Sequence, residues 1–179
     1  GMTLVTASSG GQDISVGATI FIASSVILRM VCGGEVTADT LHMPILLAVL
    51  VGIVVSMCFG AFNGALVAYF KIQPMVATLI MFTAGRSIAA WINNNQLPIM
   101  NDISFKYAGT FLPGIPVPTP IFITILMIVI FWLILKFTNL GLYTQSVGIN
   151  ANSSRLNGLN PQMIKLLTYV ILGVCVAVA

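Results

Sequence analysis

Charge is what this sequence has least of. Lys and Arg number 7 and Asp and Glu 4 in 179 residues, 6% of the chain, against roughly 25% in an ordinary soluble domain. So few charges cannot cover a surface that faces water. The net charge of +3 is scattered, which is not the basic stripe of a nucleic-acid binder. One histidine in the whole chain argues against His-based catalysis. The three cysteines, Cys32, Cys58 and Cys175, are odd in number, far apart and set in apolar contexts. They offer neither a disulfide framework nor a metal-ligand spacing and read as small packing residues. There is no Gly-x-x-x-x-Gly-Lys-[Ser/Thr] loop for nucleotide phosphates. Gly-x-Ser-x-Gly and His-Glu-x-x-His are missing too, as is the potassium-filter Thr-Val-Gly-Tyr-Gly. The sequence thus implies no enzyme, no cofactor and no metal. If the protein does work, it moves something, with any ATP energy supplied by a partner.

What the chain has is hydrophobicity, 58% of its residues, in blocks near the ~20 residues that cross a bilayer. An all-α, polytopic transmembrane helix bundle of about five to six membrane segments is expected. The chain opens on Gly1-Met2-Thr3-Leu4-Val5 with no basic region of a signal peptide. It closes inside an apolar run, 173–179, with no polar anchor. Both ends therefore read as cut, and residues 1–179 as part of one transmembrane domain.

Residues 2–7 are an apolar stub, followed by Gly10-Gly11-Gln12-Asp13 and an apolar run over 14–32. The paired glycines are a turn at an aqueous edge or a break within the membrane, which is tolerated only under cover of protein or a wet cavity. Asp13 can cap the helix that follows. Glu35, Asp39 and His42 share a face if helical, yet they lie in a short connection and read as solvated loop rather than a metal site. Pro44 opens a span to about Phe70, in which Ala48, Gly52, Ser56, Gly60, Gly64 and Ala68 recur every four residues. Such a stripe lets helix backbones approach closely in lipid. Asn63 beside it is either an interhelical hydrogen bond or a polar group facing a substrate path. A tight link at Lys71-Ile72-Gln73 leads to a span from Pro74 to about Asn95 that carries Arg86, a structural anchor or a pathway residue. A stiff, proline-rich loop over 96–117 has room for a surface helix at 104–110. The next span runs from Thr119 to Phe137, with Trp132 and Lys136 as interface anchors, and a last one starts near Gln162.

Between the last two spans lies a polar island, 147–160. Asn150 can start a helix by capping it, and Gly158 can end it in the left-handed conformation, with about two turns between them. Ile149, Leu156 and Leu159 are apolar residues within this polar connection. Two readings stand: a loop helix packed on its own protein, or a helix that docks into a groove on another. Placing the island inside the cell puts Lys71, Lys136, Arg155 and Lys165 at the inner side and Arg29 and Lys106 at the outer side, a modest positive-inside bias. Glu35, Asp39 and Asp102 then lie outside.

Several stretches together resemble the permease subunits of bacterial ABC importers for sugars such as ribose, galactose and galactofuranose, the galactofuranose type most of all. Gly10-Gly11-Gln12-Asp13-Ile14-Ser15-Val16-Gly17 looks like the family's Gly-Gly-Ile-Asp-Leu-Ser-Val-Gly signature. Phe62-Asn63-Gly64-Ala65-Leu66-Val67-Ala68-Tyr69-Phe70 with Pro74 and Thr78 is similar to its Asn-Gly span and turn, and Gly85-Arg86 to its small-residue-plus-Arg position. Gly148, Asn150 and Arg155-Leu156-Asn157-Gly158 look like its cytoplasmic coupling segment. Gln12, Leu142, Ile149 and Ser153-Ser154 depart from the family pattern. These departures bear on the strength of coupling rather than the class.

The resemblance implies a multi-pass permease subunit of the bacterial inner membrane. Its expected partners are an ABC ATPase subunit, a periplasmic sugar-binding protein and a second permease subunit, identical or not, within membrane lipid. It implies an ATPase-coupling site at Gly148, Ile149, Asn150, Arg155, Leu156 and Gly158. Asn63 and Arg86 are weaker candidates for the translocation path, and Gly52, Ser56, Gly60 and Gly64 for helix packing. Two other classes stay open: a passive channel or ion-coupled carrier, for which Asp13 is the one intramembrane acid, and a non-transporting membrane scaffold.

Overall fold

The computed structural model describes residues 1–35, 37–38, 42–96, 99–100 and 118–179. Asp39, Asp102, Lys106, the expected surface helix at 104–110 and the proline-rich tail of the loop lie outside the described residues. Eight helices follow one another among those described: α1 Met2–Ser9, α2 Val16–Val31, α3 Ile45–Ala68, α4 Pro74–Ile92, α5 Thr119–Phe137, α6 Leu140–Ile149, α7 Ala151–Leu156 and α8 Pro161–Val178. Besides the helices, the described residues include a two-residue parallel ladder. In it β1, Thr37–Ala38, pairs with β2, Ile99–Met100, tying together two loops at the end away from the island.

Among the described residues four helices, α3, α4, α5 and α8, are long and apolar enough to cross a membrane, and α2 is a shorter apolar helix of 16 residues. That is the lower end of the expected count. The paired glycines are a break between two helices: Gly10 ends α1 in the left-handed conformation, at φ 71°. A Cβ on Gly11 would press on the Pro74 ring at 2.7 Å, so the turn sits against the start of α4. Asp13 does not cap α2 as expected; the cap position is Ser15, and Asp13 lies two residues before it. Its Oδ1 accepts from the backbone N–H of Ser15, the residue before the helix, at 2.7 Å. The Ile14 N–H donates to Thr78 Oγ1 at 3.2 Å, which fastens the break to α4. Ser8 and Thr168 hydroxyls, 2.9 Å apart, fasten α1 to α8.

The most extensive packing is α3 on α8. Ala48, Gly52, Ser56, Gly60, Gly64 and Ala68, the whole four-residue stripe, are buried. At Gly60 a Cβ would meet the Tyr169 carbonyl oxygen at 2.5 Å, and at Gly173 one would meet the Ser56 carbonyl oxygen at 2.5 Å. The two backbones are therefore in direct contact, each through the other's glycine. In lipid, where apolar side chains gain nothing by leaving the solvent, such close packing is what holds helices together. Gly52 faces Ile27 of α2, and Gly85 of α4 faces Ala18 and Ile22 of the same helix. The largest buried cluster gathers Val5, Val67, Ala77, Tyr169, Leu172 and Val176. The helix α5 buries none of its residues fully; Met127, Phe131 and Ile134 on one face are half-buried beside a pocket shared with Leu4, Leu140 and Ile171, and most of its other apolar side chains face outward, as those of a helix bathed in lipid or awaiting a neighbour would.

Candidate functional site

The polar island is built by three short pieces. The first is α6, which sequence reading missed because Tyr143-Thr144-Gln145-Ser146 makes it look like connection. Thr144 and Val147 are its buried residues. A Cβ on Gly148 would overlap the carbonyl oxygen of Ala7, so this glycine seats α6 directly on the backbone of α1. One residue later Ile149 stands 87% exposed.

The second piece is α7, six residues long and shorter than the two turns expected. Asn150 is extended, and its side-chain oxygen accepts from the N–H groups of Asn152 at 3.0 Å and Ser153 at 3.1 Å. This satisfies two of the donors that a helix start leaves free. Ser154 is buried and donates to the Asn150 carbonyl at 3.0 Å. Gly158 has φ 81°, and its N–H and that of Leu159 close on the carbonyls of Arg155 and Ser154, both at 3.1 Å. Arg155 points outward, Leu156 is 90% exposed, and Leu159 is half-buried. The third piece is a second asparagine cap, with Asn160 accepting from Gln162 at 3.1 Å and Met163 at 3.4 Å before Pro161 opens α8. Sequence reading had not singled out Asn160, although Asn-Pro at a helix start is a recognisable signal.

An open groove of about 410 Å³ runs between α7 and the α3–α4 turn, with Lys71 and Arg155 on its walls. An adjoining cleft of about 310 Å³ contains Lys71, Gln73 and Lys165. Lys71 itself has φ 56°. Lys136 lies at the same end of the bundle, its ammonium 4.6 Å from the centre of the Trp132 ring. Lys71, Lys136, Arg155 and Lys165 thus share one end. Arg29 lies at the other, reaching the Gly34 carbonyl, and Glu35 follows it. No exposed acid is described at the island end, which is a cationic face.

The two weaker path candidates are not brought together. Asn63 is buried, 1% exposed, and its amide donates to Ser15 Oγ at 2.8 Å, which in turn donates to Asp13 Oδ1 at 2.6 Å. Arg86 stands on the exposed face of α4, with its guanidinium carbon 5.7 Å from the centre of the Phe82 ring. Among the described residues, no group of His, Cys, Asp and Glu is arranged to hold a metal ion.

With this geometry in hand, the relatives are informative. Residues 1–179 match the family described as "Branched-chain amino acid transport system / permease component". The chain is 40% identical to the galactofuranose transporter permease protein of Escherichia coli K12, across all of this chain and 50% of that protein. It is 33% identical to the fructose import permease protein of Bifidobacterium longum, across all of this chain and 49% of that one. It is 32% identical to the ribose import permease protein of Escherichia coli K12, across all of this chain and 54% of that one. The chain spans about half the length of the curated relatives it matches. No solved structure matches it. A bundle of membrane-length helices that matches the family from its first residue to its last belongs to it: this chain is a member of the transport-system permease components, a multi-pass membrane family.

Proposed function

We infer that this chain belongs to the membrane subunit of an ATP-driven importer for a monosaccharide, and that residues 147–160 are where its ATPase subunit docks. The observation that carries the reading is the pair Ile149 and Leu156, 87% and 90% exposed, the last residues of α6 and of the capped helix α7 on the cationic face. An isolated protein gains nothing from holding two large apolar side chains in water around a rigid turn, whereas a groove on a partner accepts them. In this reading Ile149 and Leu156 insert, Arg155 meets an acidic side chain, and Asn150 and Gly158 keep the ends of α7 fixed. Gly148, pressed on Ala7, passes its movement into α1.

The island end faces the cytoplasm, by its cations. A periplasmic binding protein delivers sugar at the other end, and a second permease subunit completes the path. Arg86, on an exposed face, is the path residue this reading retains, while Asn63 is spent on packing. Relatives named for galactofuranose, fructose and ribose support a monosaccharide, with galactofuranose first by identity.

The test is site-specific cross-linking of the full-length protein. Arg155→Cys, in a background lacking the native cysteines, is expected to cross-link to a cysteine in the ATPase groove in a manner that changes on adding ATP. No cross-link in a folded, inserted complex, together with uptake that survives ATP depletion, overturns the reading in favour of a channel or carrier.

A further inference from the structure

A small, partly open pocket of about 10 Å³ lies beside the break between α1 and α2, with Asp13, Ser15, Gly60, Asn63, Tyr169 and Gly173 among its walls. Three of these are buried polar residues from three different parts of the fold. Asn63, from α3, is 1% exposed; its amide nitrogen is used on Ser15, and its oxygen has no hydrogen-bond partner. Tyr169, from α8, is 0% exposed and its hydroxyl also has no partner. The Ser9 hydroxyl is used on the Val5 carbonyl, at 2.7 Å. Asp13, from the break, is 3% exposed and receives both of its described hydrogen bonds, from the N–H and the hydroxyl of Ser15, on Oδ1. Buried polar atoms in folded proteins are nearly always paired, directly or through ordered water.

We propose that this cavity is a binding site for one water molecule, which joins α8 to α3 and to the α1–α2 break. Tyr169 has a hydroxyl proton to donate, while Asn63 and Asp13 have oxygens to receive one. No single protein group completes all three, but a water accepts from the first and donates to the other two. The cavity is at the lower limit of what one water needs, so a sugar is excluded. A bare cation is the wrong ligand, because it gives the tyrosine proton no acceptor. The Asp13 charge is also already met by the two Ser15 donors and the N-terminal end of α2. The water is thus the joint of the broken helix, fixing its turn against the two helices whose backbones touch at Gly60 and Gly173. This proposal is independent of the docking reading, since every residue it uses lies inside the chain.

The experiment uses the full-length protein in lipid nanodiscs, imaged at a resolution where other buried waters are visible. A peak within hydrogen-bonding reach of Tyr169 Oη, Asn63 Oδ1 and the Asp13 carboxylate is expected. In Tyr169→Phe that peak weakens or vanishes and the apparent melting temperature falls. Exchanging sodium for choline is expected to leave the wild-type melting temperature unchanged. An empty cavity, or one closed by a direct Tyr169–Asn63 hydrogen bond, overturns the proposal. So does stabilisation by sodium that Asp13→Asn abolishes, which would mark a cation site. If Tyr169→Phe does not fold, the wild-type map and the cation exchange still decide.

Discussion

Gly60→Ala adds one methyl group where the structure has no room for it. The Tyr169 carbonyl oxygen lies 2.5 Å from the Cβ position, and the Gly173 Cα lies 3.4 Å from it. Both neighbours are backbone, so no side chain can rotate out of the way. Opening the contact to even about 3.0 Å moves α3 and α8 apart by roughly 0.5 Å at their crossing, which close-packed interiors do not absorb silently. Overpacking costs roughly 1–3 kcal/mol, and contact with fixed backbone belongs toward the upper end. Alanine returns up to about 1 kcal/mol through its better helix propensity, leaving a net loss of about 1–2 kcal/mol. Gly17→Ala is the control: it also lies within a helix, but nothing is within 4 Å of its Cβ position. It is expected to be neutral or stabilising by up to about 1 kcal/mol. Unfolding of the purified full-length protein in one detergent measures both. The expected order is Gly17→Ala at or above wild type and Gly60→Ala below it. The double variant Gly60→Ala, Gly173→Ala should cost less than the sum of the two singles, because helices already pushed apart have room for the second methyl. A Gly60→Ala protein as stable as wild type would refute the backbone contact.

Three further outcomes are expected. Asn150→Ala removes the acceptor for two N–H groups and costs about 1 kcal/mol locally, seen as faster hydrogen exchange at Asn152 and Ser153 with the melting temperature of the bundle little changed. Thr78→Val leaves the Ile14 N–H without its partner inside the bundle and is expected to cost roughly 1–3 kcal/mol, read as a fall in melting temperature; a neutral result would mean that the break is not fastened to α4 there. The pair Ile149→Ser and Leu156→Ser is expected to leave insertion and melting unchanged while the ATPase no longer co-purifies, and retained ATPase would remove these side chains from the docking surface.

Much of the fold was legible because lipid simplifies the code. Ala48 to Ala68 recur every four residues, a helical period, and the burial of the whole stripe follows from that spacing alone. Gly10-Gly11 marked a break because a left-handed residue is cheap only for glycine. The partner of the stripe was not legible: nothing near Tyr169 or Gly173 says that α8, rather than α4, lies across it. Asn63 and Ser15 are 48 positions apart, and local pattern carries no record of a hydrogen bond over that distance. The site was half legible. The ends of α7 announced themselves through Asn150 and Gly158, since caps are local chemistry. The role of Gly148 depends on Ala7 from the far end of the chain, and α6 was hidden by polar residues that serve a membrane-edge helix as well as they serve a loop.

The mutual notch of Gly60 and Gly173 makes a lap joint of two beams. Each beam is cut where it crosses the other, and neither can slide along its length without climbing out of the cut. The joint is also longer than one cut: a turn further along α3, Gly64 rests against Leu166 and Tyr169, so the two beams are held against swivelling as well as sliding.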